Sequence, residues 1–490
     1  MKFNYAVERV EIMKKFSASI ISLYLFSAVA YSQVLELDGY LGQVREKNEA
    51  VKGALLASNG SEERSVEGSL IFSPRLFSDV LTMDDKRETL MPSFQGTETQ
   101  FAQGEAGISQ VTRFGLAGRL YYGISNTELV GVNRGYIPQP KYTDSAVTLE
   151  LTQPLWQNAG GSQYKNGERA ISSQAKAGMY AKRYEAQMLL INAETKFWKL
   201  AATRESITII ISTLERTKTI LEFNRNKAQR GLADTSDVLQ AEAMVQARNL
   251  DLVRAHSEEK QAAREFNTMR ATDSDAVDDE IKLPSFEEVL QMLSAVPSRA
   301  AARNDVRAAE LCLQALSAVG EISSDKTRPD LNAYALISLN NRNDNSGDAM
   351  SGTFNTDYPY YVAGLKLSVP LGINKTVSVR AGYAKEIDGA RLQYSQKKND
   401  QDMEWKTLMN RIQDVRETLL AADALLKAQS AKLENERTRQ KEGRSTMFQV
   451  FAFDQEYLAS QLNMVSLRAN ALTLIAQAKT FNDIGTRGVK

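Results

Sequence analysis

The prolines of this 490-residue chain are unevenly spread: none lies between Gln157 and Leu283, and none follows Pro370. Proline removes a backbone donor and clashes with the turn before it, so two long stretches lack the strongest helix breaker. Both are rich in Ala, Leu, Glu, Lys, Arg and Gln, the residues that give up least freedom in a helix. In the first, Phe197, Leu200, Ile207, Ile211, Leu214 and Leu221 fall three, four or seven apart. In the second, Leu458, Leu462, Val465, Ala469 and Leu472 step by four and three. A stripe of period near 3.5 predicts helices packed lengthwise on neighbours.

Each stretch is broken once by a glycine, Gly231 in the first and Gly443 in the second, and Asp, Thr or Ser follows within a few residues. Glycine just past a helix end and a hydroxyl or carboxylate just before the next are a C-cap and an N-cap. Each stretch is therefore a helical hairpin. Its ascending arm, roughly 163–229 or 377–441, would be about 100 Å long at 1.5 Å per residue. The descending arms, roughly 236–268 and 446–481, are shorter. Two further helical segments supply the missing length: one opens at Leu35 and runs to about Glu63. The other opens at Ser285, where Glu288 completes a capping box, and runs with a break at Pro297 to about Ile322.

Strands announce themselves by alternation. Val147, Leu149 and Leu151 alternate with Thr148, Glu150 and Thr152; Leu331 to Asn340 and Tyr361 to Val369 do the same. Phe114, Leu116, Leu120 and Tyr122 alternate with Arg113 and Arg119, whereas Leu76–Met83 alternates poorly. Residues 91–110, rich in Gly, Gln, Thr and Ser, and residues 126–144, with Pro138 and Pro140, are expected to be loops. Period two with one apolar face suits a sheet on a soluble core or a transmembrane barrel alike. No second apolar element is available to cover these strands, and the N-terminus favours export. Lys14 and Lys15 precede an apolar run from Phe16 to Val29, and small residues follow at Ala30 and Ser32. That is the layout of a signal peptide over residues 1–32, with Met13 a candidate start.

The order short helix, strand, strand, long helix, Gly turn, descending helix occurs twice, predicting repeats over 33–283 and 284–490. Pro154 to Gly231 spans 77 residues and Pro370 to Gly443 spans 73. Pro74 and Pro329 open the strand regions, about 74–156 and 329–371; the strand spacing is 80 residues (74 to 154) in one half and 41 (329 to 370) in the other. The first β-hairpin thus carries about forty extra residues.

Composition removes other classes. Sixty Lys and Arg balance sixty Asp and Glu, so no basic field invites nucleic acid. One Cys (Cys312) and one His (His256) make neither a disulfide nor a zinc cage. His256 sits in a charged helical stretch and reads as a solvated residue; Cys312, between two leucines, reads as a small buried one. No catalytic constellation, cofactor motif or metal-ligand cluster presents itself, which argues against an enzyme.

Three motifs then carry a resemblance: Leu149–Trp156 (LELTQPLW), Arg230–Ala243 (RGLADTSDVLQAEA) and Leu365–Gly372 (LKLSVPLG), with Glu442–Thr446 a looser fourth. In this order and spacing the mature chain resembles the TolC-like outer-membrane efflux proteins. The resemblance implies an α+β membrane protein and a homotrimer. Four strands per protomer would close a 12-stranded transmembrane β-barrel, and the helical hairpins would continue it as a periplasmic α-barrel. It implies the outer membrane of a Gram-negative bacterium, with lipid around the barrel and a large periplasmic portion. It also implies a periplasmic adaptor and an inner-membrane RND or ABC transporter as partners, no cofactor, and passive conduction in tripartite efflux or type I secretion. Cargo and pump stay open. The alternative is an exported coiled-coil or adhesin-like protein with a small soluble sheet.

Residue by residue, Pro154 and Pro370 mark the strand-to-helix junctions, and Thr148, Glu150, Lys366 and Ser368 would line the lumen. The short segments and the acidic break Asp273–Glu280 would form an equatorial belt (about 35–70, 269–322 and 482–490). Gly231, Thr235, Asp237 and Val238, with Gly443, Ser445 and Thr446, would be the tip that meets the adaptor, or simply cap the helices. Gln449, Phe448 and Asp454 are the candidates for a pore constriction. The family's acidic ring has Gln449 and Ala452 at its positions here; Phe448, Phe451 and Phe453 cluster instead, to narrow the pore or pack between helices.

Overall fold

The computed structural model describes residues 34–231, 234–296, 298–299 and 302–482. The expected signal peptide, the break at Pro297, Leu232 and Ala233 of the first tip motif, and residues 483–490 of the expected belt lie outside these. The chain forms two compact units. One holds Glu185–Ala301 and Met403–Lys490 with the chain up to Leu55; the other holds Leu56–Tyr184 and Ala302–Asp402.

The first half of the chain begins with α1 (Leu37–Lys47), α2 (Glu49–Glu63) and a 3-10 segment, Arg64–Phe72. Then come β1 (Arg75–Asp85), a one-turn α3 (Pro92–Gln95), β2 (Glu98–Val111), β3 (Ala117–Val130) and β4 (Lys141–Pro154). A hairpin of α4 (Ser162–Gln229) and α5 (Thr235–Met269) ends it. The second half runs α6 (Phe286–Ser294), α7 (Asn304–Lys326), β5 (Asp330–Asn343), α8 (Ser346–Gly352) and β6 (Pro359–Ser368). It closes on α9 (Ile373–Lys441) and α10 (Met447–Ala478). The long arms are 68 and 69 residues, begun and ended within a few residues of the expected limits. Ser285 caps α6 in a capping box with Glu288, as the spacing predicts.

In the unit that holds the hairpin turns, α1 and α6 pack on the long helices. Their core gathers Tyr40, Val44, Phe197, Leu200, Phe266, Val289, Leu419 and Leu472. Tyr40 stacks on Phe266 with ring centroids 4.1 Å apart and donates its hydroxyl to the Phe266 carbonyl oxygen at 3.1 Å. That bond satisfies the polar end of a buried aromatic, and burial pushes the Tyr40 phenol above its ordinary pKa. The acidic segment 273–280 is held by arginines. Arg270 pairs with Asp279 at 2.7 Å, and Arg204 donates to the carbonyl oxygens of Asp279 (2.6 Å) and Val277. Cross-helix pairs keep α4 antiparallel to α5: Lys196–Glu265 at 2.7 Å, Arg204–Glu259 at 3.1 Å and Arg225–Glu242 at 2.7 Å.

The other unit is built on a single sheet, and it departs from expectation. Among the described residues the sheet has six strands, not four, in the order β1-β2-β3-β4-β5-β6 with every neighbour antiparallel. The supposed loop 91–110 holds β2, and the supposed loop 126–144 holds the end of β3, a turn and the start of β4. Phe114 sits in the tight turn 112–116 rather than in a strand. The physical reason is visible in β2: the residues on its apolar side are Ala102, Gly104, Ala106 and Ile108, mostly too small to register as hydrophobic alternation. Pairing on both sides holds such a strand where its own propensity is poor. The extra residues of the first half are these two additional strands.

Candidate functional site

The ladder registers sort every strand residue onto one of two faces. One face carries Leu76 and Val80 of β1, Ile108 of β2, Leu120 and Ile124 of β3, Val147, Leu149 and Leu151 of β4, Ile337 and Leu339 of β5, and Leu365 and Leu367 of β6. Several of its large side chains face solvent: Leu76 is 83% exposed, Val80 82% and Leu365 69%. The helix packed on this face, α8, sits at its polar end. There Ser145 donates to the Ala349 carbonyl oxygen at 2.6 Å, Asn341 to the same oxygen at 3.0 Å, and Thr143 meets Ser346 at 2.9 Å.

The opposite face holds most of the sheet's charges, beside apolar residues such as Phe77, Leu81, Met83 and Leu336. It carries Glu105, Arg119, Tyr121, Asp144, Thr148, Glu150, Ser338, Arg342 and Lys366, with Ser368 at the foot of β6. All four residues expected in the lumen, Thr148, Glu150, Lys366 and Ser368, share it. Arg119 pairs with Glu150 at 3.2 Å and Glu105 at 3.6 Å and lies over the rings of Phe77 and Tyr121. Tyr121 donates its hydroxyl to Glu150 at 3.0 Å. Nearer the loop end, Arg342 forms a two-pronged pair with Asp144 at 2.6 and 2.9 Å. A pocket of about 490 Å³ lies on this face, lined among others by Glu105, Tyr121, Asp144, Thr148 and Arg342. Of this network, the sequence drew attention only to Thr148, Glu150 and the alternating Arg119; its charged partners are Glu105 of β2, Asp144 in a segment expected to be loop, and Arg342 beyond the expected end of its strand.

At the junctions, Pro154 is the last residue of β4, and Pro370 lies between β6 and α9, where each chain leaves its ladder. Asp325 of α7 organises the first junction. Its Oδ2 accepts from the Asn158 N–H at 2.7 Å, the Ser162 hydroxyl at 3.0 Å and the Gln163 side-chain amide at 3.0 Å. Gly161, at φ +71, sits so close to the β2–β3 turn that a Cβ would fall 2.3 Å from the Arg113 carbonyl oxygen.

The helical turns at the far ends of the hairpins have different chemistry. Gly231 and Gly443 hold φ of +66 and +77, left-handed positions that end α4 and α9. Asp234 caps α5, leaving Thr235 exposed and Asp237 and Val238 half-buried in its first turn. Thr446 caps α10 in a capping box with Gln449, and Ser445 donates to Glu436 and Gln449. Gln449 is therefore engaged in the cap. Asp454, expected near the constriction as the nearest carboxylate, is buried at 3% side-chain exposure between Arg437 (3.0 Å) and Arg216 (3.7 Å). The three phenylalanines do not cluster. Phe451 joins a small core with Leu214, Leu221 and Val245, Phe453 lies under the Lys432 ammonium at 3.7 Å, and Phe448 is exposed.

No protein-family model matches the chain, and no curated protein matches it. Solved structures do. The outer-membrane channel OprN superposes with a TM-score of 0.60 at 14% identity over 91% of this chain and 89% of its own. The outer membrane protein VceC from Vibrio cholerae gives 0.60 at 14% identity, covering 91% and 95%. The open state of the Neisseria gonorrhoeae MtrE outer-membrane channel gives 0.58 at 13% identity, covering 91% and 88%. The chain shares the fold of these outer-membrane channel structures. At these identities the likeness is one of fold, spanning the helical hairpins and the sheet, and it agrees with the TolC-like architecture expected from the sequence motifs.

Two singled-out residues remain. His256, on α5, is half-exposed and lies 3.5 Å from Glu259. Cys312 is exposed on α7 rather than buried, a correction to the sequence reading. The leucines beside it are only half-buried, so apolar neighbours in sequence did not place it in a core. Among the described residues no helix is long and apolar enough to cross a membrane.

Proposed function

We propose that the chain is the protomer of a trimeric outer-membrane exit channel. It would conduct cargo passively, while an inner-membrane pump reached through a periplasmic adaptor supplies the energy. The observation that carries this reading is the two-sided sheet: a row of exposed leucines, valines and isoleucines on one face, most of the charges on the other, and two unpaired edges. In water such a face would drive aggregation, and in lipid open edges would leave backbone groups unsatisfied. A closed ring in a bilayer answers both, with Thr148, Glu150, Lys366 and Ser368 on its wet side.

The loops support the orientation. The connections at one end of the sheet, 86–97, 131–140 and 344–358, are long; the strand-to-strand turn at the other end, 112–116, is tight, and that end leads into the helices. Membrane barrels place long loops outside and short turns in the periplasm. The helical hairpins would then stand in the periplasm, with the turns around Gly231 and Gly443 facing the adaptor. Thr446, Ser445 and Gln449 serve the α10 cap, so Thr235, Asp237 and Val238 are the better adaptor contacts. With Asp454 buried and Gln449 in a cap, Phe448 is the member of the expected constriction left to face a pore.

Cell fractionation tests the reading. The expected result is a trimer in the outer membrane that only detergent releases. Release of the protein by osmotic shock would overturn it in favour of an exported, soluble coiled-coil protein.

A further inference from the structure

The two extra strands change what a ring of three copies would be. The edge strands β1 and β6 run in opposite directions, because five antiparallel steps, an odd number, separate them. One copy's β6 can therefore pair antiparallel with the next copy's β1, which continues the up-and-down pattern without a break. Both strands present an apolar side to the same face, Leu76 and Val80 on β1, Leu365 and Leu367 on β6.

The register supplies the rest. Crossing the sheet perpendicular to its strands, Arg75 is level with Ser109, Arg119, Glu150, Leu336 and finally Val362. Pairing β1 with β6 of the next copy along their full lengths instead sets Arg75 opposite Ser368, a stagger of six residues (368 − 362). Six is even, so every side chain keeps its face. It sets Leu76 opposite Leu367 and Val80 opposite Ala363 on the apolar side. Over three copies the stagger equals the number of strands, and the strands of the closed ring then tilt by about 35°, within the range of membrane barrels.

We infer that three copies close an 18-stranded β-barrel, six strands each, through a β1–β6 seam in which Val80 faces Ala363 of the next copy. The inference rests on the exit-channel reading and on its three-fold assembly. At the spacing of paired strands such a barrel is roughly 34 Å across its backbone, against roughly 22 Å for 12 strands. The wider wall also brings new lining: Glu105 and Arg119, both from the inserted β2 and β3, join Glu150 in a charged girdle repeated three times around the lumen. The exit through the outer membrane is then an aqueous opening of general-porin width, so selection falls to the helical portion.

A disulfide across the seam tests the register. In a Cys312→Ala background, Val80→Cys with Ala363→Cys should give covalent dimers and trimers under oxidation, whereas Val80→Cys with Leu367→Cys, four residues out of register, should give at least tenfold less. Equal yields from both pairs, or none from the first in protein that assembles normally, would overturn the register. End-on cryo-electron microscopy of the unmodified oligomer counts the strands without any substitution. Eighteen strands in a trimer is the expected result. Twelve strands, whether in a trimer that excludes β2 and β3 or in a dimer, overturns the inference while leaving an exit channel standing. A soluble, unringed protein would instead overturn the channel reading itself.

Discussion

Single side chains in this protein mostly hold long helices in register, and their charges state when they can do so. Glu265 of α5 is the clearest. The Lys196 ammonium, at 2.7 Å, and then Lys199, at 2.9 Å, hold its carboxyl down to about 2. A carboxylate whose pKa is lower folded than unfolded contributes stability above its ordinary value and loses it as pH falls through the folded one. For Glu265 that window runs from about 4.5 down to about 2. Glu265→Gln is therefore expected to melt below wild type at pH 7, with the gap closing as the pH approaches 2. Thermal melts at stepped pH measure it, and a gap that persists unchanged at pH 2 would contradict the assignment. Sequence inspection marks such residues only as members of charged faces, because partners on another helix lie dozens of positions away.

At the scale of elements, the helices were far more legible than the strands. Absence of proline, an apolar stripe and a glycine turn each act locally, and they placed α4 and α9 within a few residues. The strands β4, β5 and β6 were legible where Val, Leu and Ile alternate with polar residues. β2 was not, since Ala102, Gly104 and Ala106 stand where larger residues would mark an apolar face, and its order comes from ladders on both sides. The same limit applied at the turns: Asp454 looked like a solvent-facing carboxylate until Arg216 of α4 and Arg437 of α9 were brought to it. This buried acid ties three helices near the turns. Asp454→Ala should cost about 3 kcal/mol locally, the low end for breaking a buried pair, because both arginines keep some water. Amide hydrogen exchange at the last two turns of α9 and the first two of α10 should quicken markedly; unchanged protection there would show that the pair does not hold the turns.

For the whole molecule, the proposed assembly would cover surfaces that the single chain leaves open. The apolar face of the sheet is one. A second lies on α9, where Leu392 and Met403 are 72% and 69% exposed, and Leu420 and Leu425 are also uncovered. Apolar rows of this kind along a helix mark packing against another helix, which a neighbouring copy would provide. The sequence conveyed the sidedness; the strand number, and with it the size of any barrel, emerged only from the paired registers. The proposed assembly is a greasy-outside, wet-inside tube, and single-channel recording tests that directly. Purified oligomers added to a planar bilayer should give discrete, long-lived conductance steps, larger when the turns are loosened by Asp454→Ala. Assembled oligomer that inserts and yet passes no current, in wild type and in that variant alike, would contradict it.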